Sequence, residues 1–532
     1  MSLPLTARSV LLAGAFLPLA FLLTPNTRSA SAADPAPKPR MAGAETDQFI
    51  INEIRTHSQL MKNLQYLSDV IGPRLTGSRN AERANNWTAE KMKEYGLENV
   101  RLEPWEIPVG WERGKASMRL VEPDTGVQIP IAASPWTPGL KGKVTGEVVI
   151  VSARTKADLE KYKGKLKNAI VLTSPPARIQ SVTDLFGGAA GKKDEPKKDE
   201  LKKEEGKKEE PKKEEGKKGG GGGGGGFQPG FGPTINEFLK AEGAACVCSD
   251  SGKPQGLLMT GGRWPTDRAA GEAAMPRVSL SHESYAMLYR LASRENAVTK
   301  VEVEIENKFI PGPVIVYNTV GEVKGSEKPD EIVVVGAHLD SWDLGTGSVD
   351  NGTGSCVVLE AARTVATLAK AGSPPKRTIR FCLYTGEEQG LVGSKKYVEK
   401  HKDELPKHSA AIVHDTGTGK VTGFGILGRE NCKKILDEEL VALKKLDGWT
   451  GLTMGGLRGG TDHWSYHQAG VPGFACNQDR EEYYLSHHTQ TDTFDKAKEP
   501  NLIQGAQVMA VTAVRIANLP EMLPRELPKK GP

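Results

Sequence analysis

The chain has 532 residues, a formal net charge of +5, 38% hydrophobic and 26% charged residues, and six cysteines. That length supports two or three domains with ample cores, and so small a net charge says little about partners. Six cysteines in a chain this long exclude a dense disulfide framework.

From the N-terminus, Arg8 precedes an apolar run from Val10 to Leu23, and Ala30-Ser31-Ala32 and Ala33 follow it. This is the pattern of a secretory leader over residues 1–32, with an apolar run too short for a bilayer span. It predicts export to the periplasm or the extracellular space, and no later run suggests stable membrane insertion. Residues 33–47 read as a linker. Ala81–Tyr95 reads as an amphipathic helix ending before Gly96.

Between residues 135 and 293 come short β-branched runs, Gly146–Val151 and Asn168–Leu172, then a helix-like Ile235–Glu242 leading into Ala244–Ser249. Inside this region, residues 186–232 stand apart. Lys192–Gly216 repeats the unit KKDEP, KKDEL, KKEEG, KKEEP, KKEEG, and Gly219–Gly226 is pure glycine. With almost no apolar content the segment has nothing to offset its ordering entropy, so it is expected to be disordered. Its charges nearly cancel, which favours a passive solvated loop.

The C-terminal half alternates strand and helix patterns. Glu331–Ala337 reads as a buried strand that runs directly into His338. Gly354–Lys370 reads as a helix stopped by Gly372 and Pro374-Pro375, and Thr378–Tyr384 as a strand with Glu387-Glu388 just past its end. Ala410–His414 is a further strand, ended by Asp415. The alternation predicts a parallel α/β sheet, whose ligands bind beyond the carboxyl ends of the strands. Cys356 and Cys382 fall in the expected core, Cys246 and Cys248 are too close to bridge easily, and Cys432 with Cys476 is left open as a pair.

Five residues along this half have metal-ligand chemistry: His338, Asp350, Glu388, Asp415 and His488. Three carboxylates and two imidazoles are too many for one tetrahedral zinc, but they suit two zincs sharing a bridge. Two dications against three carboxylates leave one positive charge, enough to hold a hydroxide. Asp340 lies two residues from His338, on the same side of an extended backbone, where its carboxylate can accept the second imidazole N–H. The adjacent Glu387 and Glu388 diverge, so one can bind metal while the other serves as general base.

Three stretches carry a family resemblance: His-Leu-Asp-Ser-Trp-Asp at His338–Asp343, Ala-Gly-Val-Pro-Gly at Ala469–Gly473 and Glu-Met-Leu-Pro-Arg at Glu521–Arg525. Residues 331–524 resemble the catalytic domain of the zinc-dependent aminopeptidases and their glutamate carboxypeptidase relatives. The resemblance implies that Asp350 bridges two zincs, one also held by His338 and Asp415, the other by Glu388 and His488. It makes Glu387 the general base, and it selects His488 over His487 because the ligand lies four residues before Asp492-Thr493.

It also implies the domain plan: an α/β zinc-exopeptidase sheet flanked by helices, with a β-rich protease-associated domain inserted. Residues 48–134 are then the first part of the peptidase domain, 135–293 the insert, 294–525 the main part and 526–532 a tail. The loop Gly459–Tyr466 resembles one near the substrate, which offers His463 and Tyr466 as oxyanion stabilisers or as packing residues. Asp479, Glu481 and Glu482 offer acidic groups for a substrate amine, although solvated loop carboxylates are the blander reading. Gly423-Phe-Gly-Ile-Leu-Gly428 matches a dinucleotide pattern but lacks a convincing strand before it and helix after it.

The sequence therefore predicts an exported exopeptidase with two Zn2+ per chain acting on short peptides. It calls for no nucleic-acid partner and leaves monomer and homodimer open. Two other readings share the resemblance: a single-zinc glutaminyl cyclase, and a non-enzymatic module of the transferrin-receptor kind, which the intact ligand set disfavours.

Overall fold

The computed structural model describes residues 40–41, 43–179, 231–480 and 482–526. The leader, the Lys/Glu repeat with its glycine run, and Glu481 lie outside the described residues.

Eight strands form the first sheet: β1 (Glu98–Ile107), β2 (Val314–Val323), β3 (Lys328–His338), β4 (Arg377–Tyr384), β5 (His408–Val413), β6 (Val421–Gly425), β7 (Gly451–Thr453) and β8 (Gly473–Gln478). Their spatial order is β1-β2-β4-β3-β5-β8-β6-β7. The centre is parallel, with β3 between β4 and β5 and β5 beside β8. The sheet is thus mixed rather than parallel throughout: β1, β2 and β4 pair antiparallel, as do β6 and β8, while β6 and β7 at the edge are parallel.

The run Ile332–Val335 is buried on both faces, as befits a central strand. Val333 and Val335 join the core beneath helices α2 (Thr353–Lys370) and α3 (Glu499–Asn518), with Val357, Leu359, Met509 and Val511. Ile332 and Val334 turn the other way, toward Tyr384, Tyr397 and Tyr466. Each such side chain contributes about 1.5–3 kcal/mol by leaving water. The expected helix at Ala81–Tyr95 begins two residues earlier, at Arg79. The Ser78 side chain caps it by accepting from the Ala81 N–H, and Gly96 ends it in the left-handed region at φ 89°.

A second eight-stranded sheet has the order Gln128–Ile129, Ala116–Glu122, Lys300–Ile305, Val144–Ile150, Ile170–Leu172, Cys246–Asp250, Arg277–Leu280, Ile131–Ala133. Four of these strands lie outside 135–293, so this lobe begins earlier and ends later than the insert boundaries expected. Pairing across the lobe recruits chain on both sides, which no local pattern signals. The lobes meet at an aromatic joint: Trp136 lies 6.4 Å from Trp111, 5.7 Å from Trp264 and 6.4 Å from Trp342, and Trp264 lies 6.2 Å from Trp105.

All six cysteines are free and buried. Cys432 Sγ faces the Pro524 carbonyl and Cys476 Sγ faces Met509, so the pair left open is not made. Among the described residues no helix is long and apolar enough to cross a membrane.

Candidate active site

Parallel strands deliver four of the expected residues to one edge. His338 is the last residue of β3, Glu387 and Glu388 follow the end of β4, and Asp415 follows β5. Asp350 sits in the turn 348–352 that feeds α2, and His488 follows the short helix Tyr483–Ser486. This is the crevice beyond the carboxyl ends of the strands, where open α/β sheets place ligands.

The five metal-type residues converge there. His338 Nε2 lies 3.4 Å from Asp350 Oδ1 and 3.6 Å from Asp415 Oδ1. His488 Nε2 lies 3.6 Å from the other oxygen, Asp350 Oδ2, and 2.9 Å from Glu388 Oε2. Two trios, Asp350 with His487 and His488, and His338 with Asp350 and Glu388, have ligand atoms within 4.8 Å of one another. His487 stacks on His488 at 3.7 Å but lies 3.9 Å from Asp350 Oδ2, farther than His488.

The donor set fits bound cations. Asp350 Oδ2 and Glu388 Oε1 are buried without a hydrogen-bond partner, an arrangement that costs free energy unless a positive group completes it. Burial, together with the neighbouring carboxylates, pushes Glu387 and Glu388 well above the usual carboxylate range. Burial pulls the His338 imidazole down, yet Asp415, Glu387, Asp340 and Asp350 outweigh it and push the pKa well up. The pocket thus favours positive charge.

The tautomer of His338 is set differently from the expectation. Its Nδ1 is 3.0 Å from the Asp340 backbone carbonyl, while the Asp340 carboxylate lies at 3.6 Å. A carbonyl only accepts, so Nδ1 carries a proton, and Nε2 presents its lone pair once a cation takes the place of its own proton. The Asp340 carboxylate accepts instead from Thr76 Oγ1 at 2.9 Å and from the Glu387 N–H at 3.3 Å, tying β3 to the Glu387 loop.

Other positioning residues gave no sequence signal. Arg74 is fully buried and donates to the carbonyls of Leu339, Gly72, Thr346 and Gly347 at 2.6–3.1 Å, pinning the turns on both sides of the acids. Asp492 Oδ1 accepts from the N–H groups of Val349, at 2.5 Å, and Asp350, at 3.4 Å, holding the Asp350 turn. Sequence reading used Asp492 only as a register mark. The Trp342 ring stands edge-on to His488 at 5.8 Å.

The loop 252–260 of the second lobe clamps the segment carrying His488. The Thr260 N–H donates to the His488 carbonyl at 3.0 Å, the Leu258 N–H to Gln490 at 2.9 Å, and Met259 bridges to Thr489.

His463 and Tyr466, offered as oxyanion stabilisers or as packing residues, both have packing partners. Tyr466 is fully buried, with its hydroxyl 2.5 Å from that of Tyr384 in the tyrosine cluster. His463 is fully buried, and burial takes its pKa down to about 4. Its Nε2 donates to the Leu457 carbonyl at 2.8 Å, which leaves Nδ1 as an acceptor, and an oxyanion needs a donor. The first half of the Gly423–Gly428 pattern lies inside β6 rather than after it, and the helix Glu430–Glu439 begins beyond Gly428. Its Gly425 packs on the Gly456 backbone.

Comparison with known proteins gives this geometry its family. Residues 318–513 match the model of peptidase family M28. Over 466 residues the chain is 30% identical to carboxypeptidase Q of Mus musculus, covering 87% of each chain. The chain belongs to peptidase family M28. Like its relatives it is a metallopeptidase. A solved M28 peptidase precursor from Shewanella amazonensis superposes with a TM-score of 0.69 at 26% identity, over 92% of this chain and 99% of that one. A zinc aminopeptidase from Bacillus subtilis shares the fold at 19% identity and a TM-score of 0.55, over 85% and 93%.

Proposed function

We propose that this M28 peptidase is an exported exopeptidase with two zinc ions, releasing residues from short peptides. The observation that carries the reading is the division of Asp350: Oδ1 lies 3.4 Å from the His338 imidazole, which also meets Asp415, and Oδ2 lies 3.6 Å from the His488 imidazole, which also meets Glu388. His338, Asp415 and Asp350 would hold one ion, and Asp350, Glu388 and His488 the other.

Zinc bound there supplies a Lewis acid that polarises the scissile carbonyl and makes water nucleophilic near neutral pH. Glu387 takes the proton from the attacking water at its carboxylate and returns it to the departing amine. Asp340 orients this base by accepting its backbone N–H, and it fixes the tautomer of His338 through its own carbonyl. Arg74 and Asp492 hold the loops so that the acids stay converged before substrate arrives. The second lobe, read as the protease-associated insert, limits entry to short chains. The leader pattern in residues 1–32 supports export.

Metal analysis tests the reading together with a panel of dipeptides and tripeptides. Wild-type protein is expected to hold close to two zincs and to release free amino acids, and Asp350→Ala to lose both ions. One robust zinc at saturating metal and neutral pH would overturn the two-ion reading.

A further inference from the structure

Lys253 has no part in the reaction as described, yet it is 4% exposed. It sits in loop 252–260 of the second lobe and donates to the Tyr484 carbonyl, with Nζ 3.8 Å from the centre of the Tyr484 ring. Tyr484 belongs to the short helix immediately before His487 and His488, and its hydroxyl donates to the Gly252 carbonyl. The ammonium therefore stands beside the metal-ligand loop, in a place fixed from both sides.

An ammonium has three N–H donors. Among the described residues Lys253 uses one, and no carboxylate lies within 4 Å of its nitrogen. A buried cation without an anion is costly, and a natural chain keeps one where function supplies the partner. Burial lowers its pKa to about 8, against the pull of Asp350, so it is still mostly protonated at neutral pH. The metal ions cannot be that partner, because they are cations. What is missing is an anion that arrives with the substrate.

We propose that Lys253 binds the free terminal carboxylate of a short peptide, making the second lobe a specificity determinant for carboxylate-terminated substrates. The proposal rests on the exopeptidase reading. It explains why the loop is clamped so firmly to residues 484–490: the cation must stand at a fixed distance from the scissile bond. A chain amidated at that end leaves the ammonium unpaired, and the complex is weaker by the worth of a charged hydrogen bond.

The zinc-loaded enzyme is assayed on Ala-Leu and on Ala-Leu amide. Wild type should favour the free acid in kcat/KM by roughly 10- to 150-fold, as a hydrogen bond between charged groups implies. Lys253→Met should bring this ratio to within about twofold of unity, chiefly through KM for the acid, and Lys253→Arg should keep most of the preference. Equal losses on both substrates in Lys253→Met, with the ratio intact, would mean that Lys253 only holds the loop, and would overturn the proposal. So would a wild-type enzyme that cleaves both substrates equally well, leaving the exopeptidase reading standing. Cleavage of neither would overturn both.

Discussion

Two buried clusters of charge flank β4, and they are built on opposite principles. Before its end, Arg380 donates to Glu322 at 2.7 Å and to Glu404 at 2.9 Å, Arg101 donates to Glu103 at 2.8 Å, and His401 meets Glu103 at 2.9 Å. Every carboxylate there has a cation of the chain as its partner. Past the strand's end, Glu387 and Glu388 stand with Asp350 and Asp415, and two carboxylate oxygens have no hydrogen-bond partner. A buried acid paired within the chain serves the fold, while one whose charge the chain leaves open serves something from outside it. Replacing a glutamate in each cluster should therefore give opposite signatures.

Glu387→Ala should lower kcat by about two to four orders of magnitude while zinc content is retained, the range for loss of a general base. Its folding stability should hold or rise, since one of several crowded acids is gone. Intact metal with undiminished hydrolysis would remove Glu387 from the role of base.

Glu322→Ala should do the reverse. It leaves the buried Arg380 with only the half-exposed Glu404 as a carboxylate partner, and breaking a buried pair costs up to about 3–5 kcal/mol. Urea unfolding should show the loss, with zinc stoichiometry unchanged. A loss of zinc equal to the loss of stability would show that the two clusters are one.

The closed network also borders an acid-sensitive group. Burial holds the His408 imidazole down to about 4, against 6.5 ordinarily. Below pH 6.5 the unfolded chain takes up a proton that the folded chain refuses, so stability present above that pH falls as pH drops toward 4. The difference amounts to about 3 kcal/mol. Urea midpoints between pH 7 and pH 4.5 measure it, and His408→Gln should flatten that part of the curve.

The smallest effect belongs to the repeat. Deleting residues 192–226 should leave thermal stability, zinc content and kcat/KM near wild type, because loop closure depends only weakly on length. A rise in KM that added salt reproduces in wild type would show that the charged arm recruits substrate.

Much of the catalytic edge was legible because its parts are local. The β-branched run before His338, the apolar helix after Asp350 and the strand before Glu387 each declare themselves locally in the sequence, and each borders its functional side chain. What stayed illegible acts across the chain. Arg74 reaches residues 339–347, Lys253 reaches Tyr484, and Asp492 reaches Val349, all at separations over which no periodicity persists. Resemblance likewise offered His463 and Tyr466 either to the substrate or to packing, and the tertiary structure buries both. The antiparallel edge of the sheet was missed for a similar reason: β1 and β2 lie more than two hundred residues apart, with the second lobe's strands between them in sequence.

The clamp between loop 252–260 and residues 484–490 makes the metal centre a property of the whole chain. His488 is held by a lobe that is finished long before it is synthesised, and Arg74 must wait for residues 339–347 before its donors have anywhere to go. Ion binding and closure of the joint are then linked equilibria: whatever free energy zinc gains at the centre is drawn on to keep the two lobes together. Occupancy by metal becomes a readout of tertiary completeness, and an immature or clipped chain would betray itself by its empty centre before it lost its sheets.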